Sequence, residues 1–197
     1  MGCKGNGLII ISGPSGVGKD SVITRIRHLD PSISLSVSAT TRLPRFGEVD
    51  GIDYHFLSKK EFESKIKNSE FLEYAEYCGN YYGTLKYPID RAIQLEKKII
   101  LKIEVQGAFK VRDFYPECLS VFIAPPSMST LRERISSRNL DDDHSVGLRL
   151  KKAKYEISQS KYYDFVVEND TIDACARKIL NKIYEFELKG GFYETNN

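Results

Sequence analysis

Residues 8–21 read LIIISGPSGVGKDS. Leu8, Ile9, Ile10 and Ile11 form a short apolar run rich in β-branched side chains, which reads as a strand buried on both faces. Gly13, Gly16 and Gly18 follow within six positions and lead into Lys19. Beyond them SVITRIRHL, residues 21–29, sets Val22, Ile23, Ile26 and Leu29 at helical spacing. Strand, glycine-rich loop, lysine and helix, in that order, is the context that a phosphate-binding loop requires. The missing Cβ atoms let backbone N–H groups approach phosphate oxygens. The helix start adds unpaired N–H groups and the positive end of a dipole, and Lys19 reaches the outer phosphates. An ordinary turn between a strand and a helix is the bland alternative, and the lysine at this spacing speaks against it. The position after the lysine, normally a magnesium-binding Ser or Thr, is Asp20. Its carboxylate is itself a hard oxygen ligand. Ser21 taking over the metal, or Asp20 serving only as a negative charge at the helix start, are equally open on the residues alone.

The rest of the chain bounds the problem. Its 197 residues suit one domain with elaborations. Hydrophobic residues make up 41% and charged residues 28%, an ordinary globular balance. A net charge of +2 gives no global case for nucleic-acid or membrane binding, so anion affinity must be local. The apolar runs are too short to cross a bilayer. MGCKGNG at the start has no signal-peptide core, and Asn6 breaks the likeness to a myristoylation start. Cys3, Cys78, Cys118 and Cys175 are scattered without a CxxC pair. That pattern indicates neither zinc site nor disulfide framework, and reads as reduced thiols in a cytoplasmic protein.

Further along, SLSVS (34–38) reads as a strand, and Arg42 and Arg45 sit in a loop punctuated by Pro44, Gly47 and Gly51. Extended chain resumes at Tyr54–Leu57, and Ser58 with Glu61 forms a capping box for a helix to about Lys67. FLEYAEY (71–77) reads as a strand whose alternation puts Phe71, Glu73, Ala75 and Tyr77 on one side. Pro88 lies in the first turn of a helix to about Lys97. IILKIEV (99–105) and LSVFIA (119–124) read as buried strands, with a helix starting near Gly107 between them. Ser127 caps a helix carrying Arg132, Arg134 and Arg138; NLDDDHS (139–145) breaks the pattern before a long charged helix. DFVV (164–167), a terminal helix to about Leu188 and a frayed tail close the chain. Strands alternating with helices imply a mostly parallel sheet covered on both faces. Ligands gather at the carboxyl ends of such strands, which gathers Gly13–Lys19, Ser38, Glu104 and Asn169 along one edge.

Over about residues 6–188 the chain resembles the guanylate kinases. The resemblance is carried by GPSGVGK (13–19), VSATTRLPRFGEVDGIDYHF (37–56), FLEYAEYCGNYYGT (71–84), IEVQG (103–107), PPSMSTLRERISSR (125–138) and DFVVEND (164–170). The second and third blocks are specific, because a phosphate loop alone fits many unrelated NTPases. The resemblance implies an α/β, P-loop NTPase-type, three-layer parallel sheet core with a β-rich GMP-binding insertion and a helical lid. It places the core at 1–37, 88–126 and 161–197, the insertion at 38–87 and the lid at 127–160. It further implies transfer of the γ-phosphoryl group of ATP to GMP, and by extension dGMP, with Mg2+, in a monomer or homodimer with no nucleic-acid or membrane partner.

The same resemblance implies roles for single residues. ATP is expected at Gly13, Pro14, Ser15, Gly16, Val17, Gly18, Lys19, Asp20 and Ser21, with Arg134, Arg138 and Asn169. GMP is expected at Ser38, Arg42, Arg45, Tyr54, Glu73, Tyr82, Gly83, Thr84, Glu104 and Gly107. Catalysis falls to Lys19, Arg42, Arg138 and Arg149, and the metal to Asp20 or Ser21. These assignments suit the chemistry. Guanine presents two adjacent donors that one carboxylate, Glu73, accepts together, whereas adenine would set a lone pair against it. By itself Glu73 reads as a solvated strand carboxylate, and the tyrosines read as packing residues that still keep a hydroxyl to donate. The GMP phosphate favours the planar fork of arginine over lysine. Phosphoryl transfer asks mainly for positioning and charge neutralisation; each lid arginine has a solvated helix face as its bland reading, and lid closure excludes water.

Three departures stand out against the family pattern: Asp20, Lys102 in place of a common acidic residue, and Leu148 in place of the first of an arginine pair before Leu150. Two rival functions share part of the pattern. A ribose 1,5-bisphosphate phosphokinase also tends to carry GKDS, yet has no use for a guanine site. A non-catalytic phosphopeptide-binding module keeps the arginines and tyrosines but has typically lost the loop lysine.

Overall fold

The computed structural model describes residues 7–77, 79–136 and 143–190. Strand β1 (Leu8–Ser12) is buried throughout and runs through the loop into α1 (Lys19–Leu29). The main sheet is parallel, in the order β2 (Ser34–Leu35), β7 (Ile99–Lys102), β1, β8 (Leu119–Ala124), β9 (Phe165–Glu168). Side chains of β1 alternate between the two faces. Ile9 and Ile11 join a core with Val22, Ile26 and Ile179, whereas Leu8 and Ile10 join one with Ile89, Val111 and Phe122. Helices α1 and α7 (Ile172–Leu188) therefore cover one face, and α3 (Lys86–Gln94) and α4 (Val105–Phe114) the other. This is the three-layer arrangement read from the sequence.

A second sheet lies within residues 39–85, in the order β4 (His55–Phe56), β3 (Ala39–Thr40), β6 (Asn80–Leu85), β5 (Phe71–Tyr77). Helix α2 (Lys59–Lys67) opens on the capping box: Ser58 accepts from the Glu61 amide and Glu61 accepts from the Ser58 amide. Its Phe62 stacks on Phe71 at 4.3 Å and on Tyr81 at 5.3 Å, which gives this sheet a core of its own. Helices α5 (Met128–Ser136) and α6 (Asp143–Ser158) form a third small core through Leu131, Ile135, Val146 and Ala153. Ser127 caps α5 by accepting from the Thr130 amide at 3.0 Å.

Several boundaries differ from the sequence reading. The strand read over 34–38 pairs only at Ser34–Leu35. Helix α3 ends at Gln94 rather than Lys97, because Glu96 turns to φ 51° and the Lys97 amide returns to the Ala92 carbonyl. The strand read to Val105 stops at Lys102, since Glu104 is already the extended N-cap of α4. In β5 the alternation fails at its start. A bulge between Phe71 and Glu73 inserts one residue, so Phe71 meets Tyr74 and the insertion core while Leu72 enters the main core. Glu73 therefore does not share a face with Phe71. Most of the polar break at 139–145, together with Arg138 and the tail, lies outside the described residues. Cys118 and Cys175 are buried free thiols, pushed up to about 12 and about 11 by burial. No described helix is long and apolar enough to cross a membrane.

Candidate nucleotide site

The loop after β1 is shaped by its glycines. Gly18 sits at the N-cap of α1 with φ 95°, a conformation side chains rarely adopt. A Cβ there would lie 2.7 Å from Nδ2 of Asn169. Gly18 at the N-cap has no side chain to cap α1, which leaves the leading N–H groups facing the loop where an anion is favoured. Lys19 curls back and donates to the carbonyls of Gly13 (2.5 Å) and Pro14 (3.1 Å). Burial pulls its ammonium down to about 8, against the opposing pull of Glu156, Asp20 and Glu104.

Several elements converge on this loop. Arg149 of α6 donates to Oγ of Ser15 at 2.9 Å. Arg134 of α5 donates to the carbonyls of Asn169 (3.2 Å) and Val17 (3.5 Å). Asn169, directly after β9, is buried and donates from Nδ2 to the Val17 carbonyl at 2.7 Å, while its Oδ1 has no partner among the described residues. Gly18, Arg134, Asn169, Asp170, Thr171 and Ile172 line a cavity of about 360 Å³. The arginine and asparagine read as ATP ligands thus flank the loop. Asp20 is largely exposed and pairs with Lys102 at 2.5 Å.

The second sheet supplies the other half. Glu73 faces Thr84 across β5 and β6 and accepts from its hydroxyl at 2.7 Å. Burial pushes the Glu73 carboxyl up, and nearby Glu104 pushes the same way, while the Thr84 bond and Lys110 oppose them. Gly107 in α4 leaves room for it: a Cβ there would lie 2.9 Å from Oε2 of Glu73. Gly83, buried opposite Tyr74, has no room for a side chain either. In the loop at 41–54, Arg42 forms a two-point ion pair with Glu48, at 2.9 and 2.8 Å. Its guanidinium stands 5.5 Å from the Tyr54 ring centroid, and Tyr54 and Tyr82 meet edge to face at 6.2 Å. The Glu48 bond, foremost, holds the Arg42 guanidinium above its usual range, and Tyr82 adds to it. Arg42, Tyr54 and Tyr82 therefore form one cluster. Arg45 contributes its amide to Glu48, with its side chain exposed. Ser38 accepts from the His55 amide through its carbonyl.

Three participants escaped the sequence reading. Glu48 lies six residues after Arg42, a spacing that means nothing until the loop folds. Lys152 of α6 pairs with Glu104 at 2.8 Å, lies 3.9 Å from Glu156 and stands 5.6 Å from the Tyr77 ring, so it touches both halves. Glu156 is buried, and burial pushes its carboxyl up against the pull of Lys152 and Lys19. The i,i+4 spacing of Lys152 and Glu156 was legible; their position beside Lys19 was not.

Known proteins share this architecture. The family model described as Guanylate kinase matches residues 5–185. A guanylate kinase of Halalkalibacterium halodurans is 49% identical over 172 residues, covering 87% of this chain and 84% of its own length. One from Bacillus subtilis is 47% identical over 183 residues, covering 92% and 90%. The crystal structure of a guanylate kinase from Anaplasma phagocytophilum superposes with a TM-score of 0.77 at 32% identity, covering 98% of this chain and 92% of that one. With the match running from before the glycine loop to within the last helix, the chain belongs to the guanylate kinase family.

Proposed function

We propose that this protein transfers the γ-phosphoryl group of ATP to GMP, giving ADP and GDP, with the two nucleotides held on either side of the sheet edge. The observation that carries this reading is Glu73: a half-buried carboxylate, fixed by Thr84 and backed by Gly107, in a chain that keeps its loop lysine. A carboxylate so placed accepts from both N1–H and the 2-amino group of guanine. Adenine would leave it facing a lone pair, and sites built on this contrast discriminate by roughly 10⁴–10⁵. The ribose phosphokinase alternative has no role for this carboxylate, and a phosphopeptide module has none for Lys19.

The roles of the remaining residues follow from their chemistry. Arg42, with Tyr54 and Tyr82 beside it, offers a planar fork and hydroxyls to the GMP phosphate, once Glu48 yields its two contacts. Lys19 leaves the carbonyls of its own loop for the outer ATP phosphates. Arg149 and Arg134 bring positive charge from α6 and α5, and the Oδ1 of Asn169, without a partner among the described residues, offers an acceptor to an exocyclic amino group. Arg138 and Arg45 complete the proposed cationic set. Among the described residues no three His, Cys, Asp or Glu side chains form a metal cage. A magnesium nucleotide needs only one or two protein oxygens besides its phosphates, and Asp20 beside the loop lysine fits that need. When bound, the ion neutralises charge on the phosphates.

A coupled assay of ADP release tests the reading, with GMP, AMP, ribose 1,5-bisphosphate or no acceptor offered. Release with GMP alone is expected. Glu73→Gln keeps one acceptor and replaces the other with an NH₂ group, so kcat/KM for GMP should fall by about 2–3 kcal/mol, roughly 30–150-fold. ATP affinity should stay near that of the parent. Unchanged GMP kinetics would remove Glu73 from the guanine site.

A further inference from the structure

Two unusual residues of the sequence touch one another. Asp20 follows the loop lysine, where a hydroxyl ordinarily binds the magnesium of a nucleotide. Lys102 is the last residue of β7, in register with Ile11 of β1. Parallel pairing of β1 and β7 carries Lys102 to the sheet edge at which the loop begins, beneath the first turn of α1. There its ammonium meets Oδ1 of Asp20 at 2.5 Å, with the lysine side chain about one-third exposed and the aspartate three-quarters exposed. A carboxylate in the first turn of a helix needs no partner to be favourable there. Lys102 therefore does more than satisfy a dipole: it puts a monovalent cation on the carboxylate that stands at the metal position.

Resting on the nucleotide reading above, we infer that Asp20 is a magnesium ligand of this chain and that Lys102 is its resident counter-ion, so the metal enters by exchange with the lysine ammonium. The two cations compete for one carboxylate. A like charge beside a divalent ion is repulsive, and the same lysine attracts the bare polyphosphate. Lys102 should therefore raise affinity for metal-free nucleotide while lowering the gain that magnesium confers.

The test is the ratio of dissociation constants for a non-hydrolysable ATP analogue measured in EDTA and in excess Mg2+, by calorimetry without any GMP. Against the wild-type ratio, Lys102→Met should raise it about tenfold, the effect of removing one nearby cation, and Asp20→Asn should lower it by a similar factor. In the Asp20→Asn background the Lys102→Met effect should shrink to the part owed to the lysine's direct action on phosphate and metal, because the part that runs through the carboxylate is gone. Lys102→Gln serves the same purpose if the methionine variant does not fold. An unchanged or reduced ratio in the lysine variants, or an increase that keeps its full size without Asp20, overturns the inference. Wild-type protein that binds the analogue but shows an unmoved ratio in every variant overturns this inference alone. Wild-type protein that binds the analogue in neither condition overturns the nucleotide reading with it.

Discussion

Lys19 shows how surroundings set the behaviour of one residue. In the free protein burial pulls its ammonium down to about 8 from an ordinary 10.5. The folded state therefore binds fewer protons than the unfolded chain between those values, and this group adds stability as pH rises from about 8 toward 10.5. Phosphate binding works in the opposite direction, because the anion restores the charged form. ATP should bind with proton uptake above about pH 8, and its affinity should fall as pH rises through that point. Calorimetry in two buffers of different ionisation enthalpy, with EDTA present, measures both effects. Affinity that is flat across the interval would mean that Lys19 stays fully charged in the free protein. Arg42 offers a contrast, since its guanidinium is charged at any accessible pH and only its partner, Glu48 or a phosphate, changes.

Among the elements, β5 and α4 matter most, because together they aim Glu73. The bulge in β5 frees Glu73 from the face of Phe71 and sets it across from Thr84. Helix α4 meets it with Gly107, whose absent side chain leaves the space that the carboxylate fills. Gly107→Ala places a methyl group against Oε2, Cδ and Cγ of Glu73, at 2.9, 3.1 and 3.2 Å. The carboxylate must shift, so KM for GMP should rise several-fold while KM for ATP is unaffected. Helix propensity acts the other way, favouring alanine by about 0.5–1 kcal/mol in a helix interior. Thermal stability should thus change little as GMP affinity drops, a combination that a general packing defect would not produce. Steady-state kinetics beside a melting curve resolves the two. Period-based reading of FLEYAEY could not anticipate this aim, since a bulge is one extra residue whose cost depends on the partner strand.

At the scale of the whole molecule, Lys152 joins what the chain keeps far apart. It lies on α6 yet pairs with Glu104 at the start of α4 and stands over Tyr77 of β5. It also faces the buried carboxylate of Glu156, whose proton affinity burial already raises. Lys152→Met would leave Glu156 with less positive charge nearby and push its carboxyl up further. A carboxyl raised in the folded state costs stability at neutral pH and recovers it on acidification. Urea unfolding should therefore show a loss of about 1 kcal/mol near pH 7, typical of a partly exposed ion pair, and a smaller loss near pH 5. A deficit that does not depend on pH would point instead to lost packing of the lysine stem.

What the sequence by itself determined about this protein was whatever depends on near neighbours. Buried strands announce themselves as apolar runs, the capping box at Ser58 and Glu61 closes within four residues, and the glycine loop needs only its own backbone and the helix after it. Those local signals, with the family likeness, were enough for the layered parallel sheet, the inserted second sheet and the nucleotide chemistry. Tertiary structure alone decided which polar groups meet. Asp20 with Lys102, Lys152 with Glu104, Arg134 with Asn169 and Arg149 with Ser15 are joined across separations of 82, 48, 35 and 134 residues. Periodicity carries no information over such distances. The partner of a charged side chain is set by how strands pair and helices cross, and Coulomb attraction between exposed groups is too weak and too screened to dictate that path in advance.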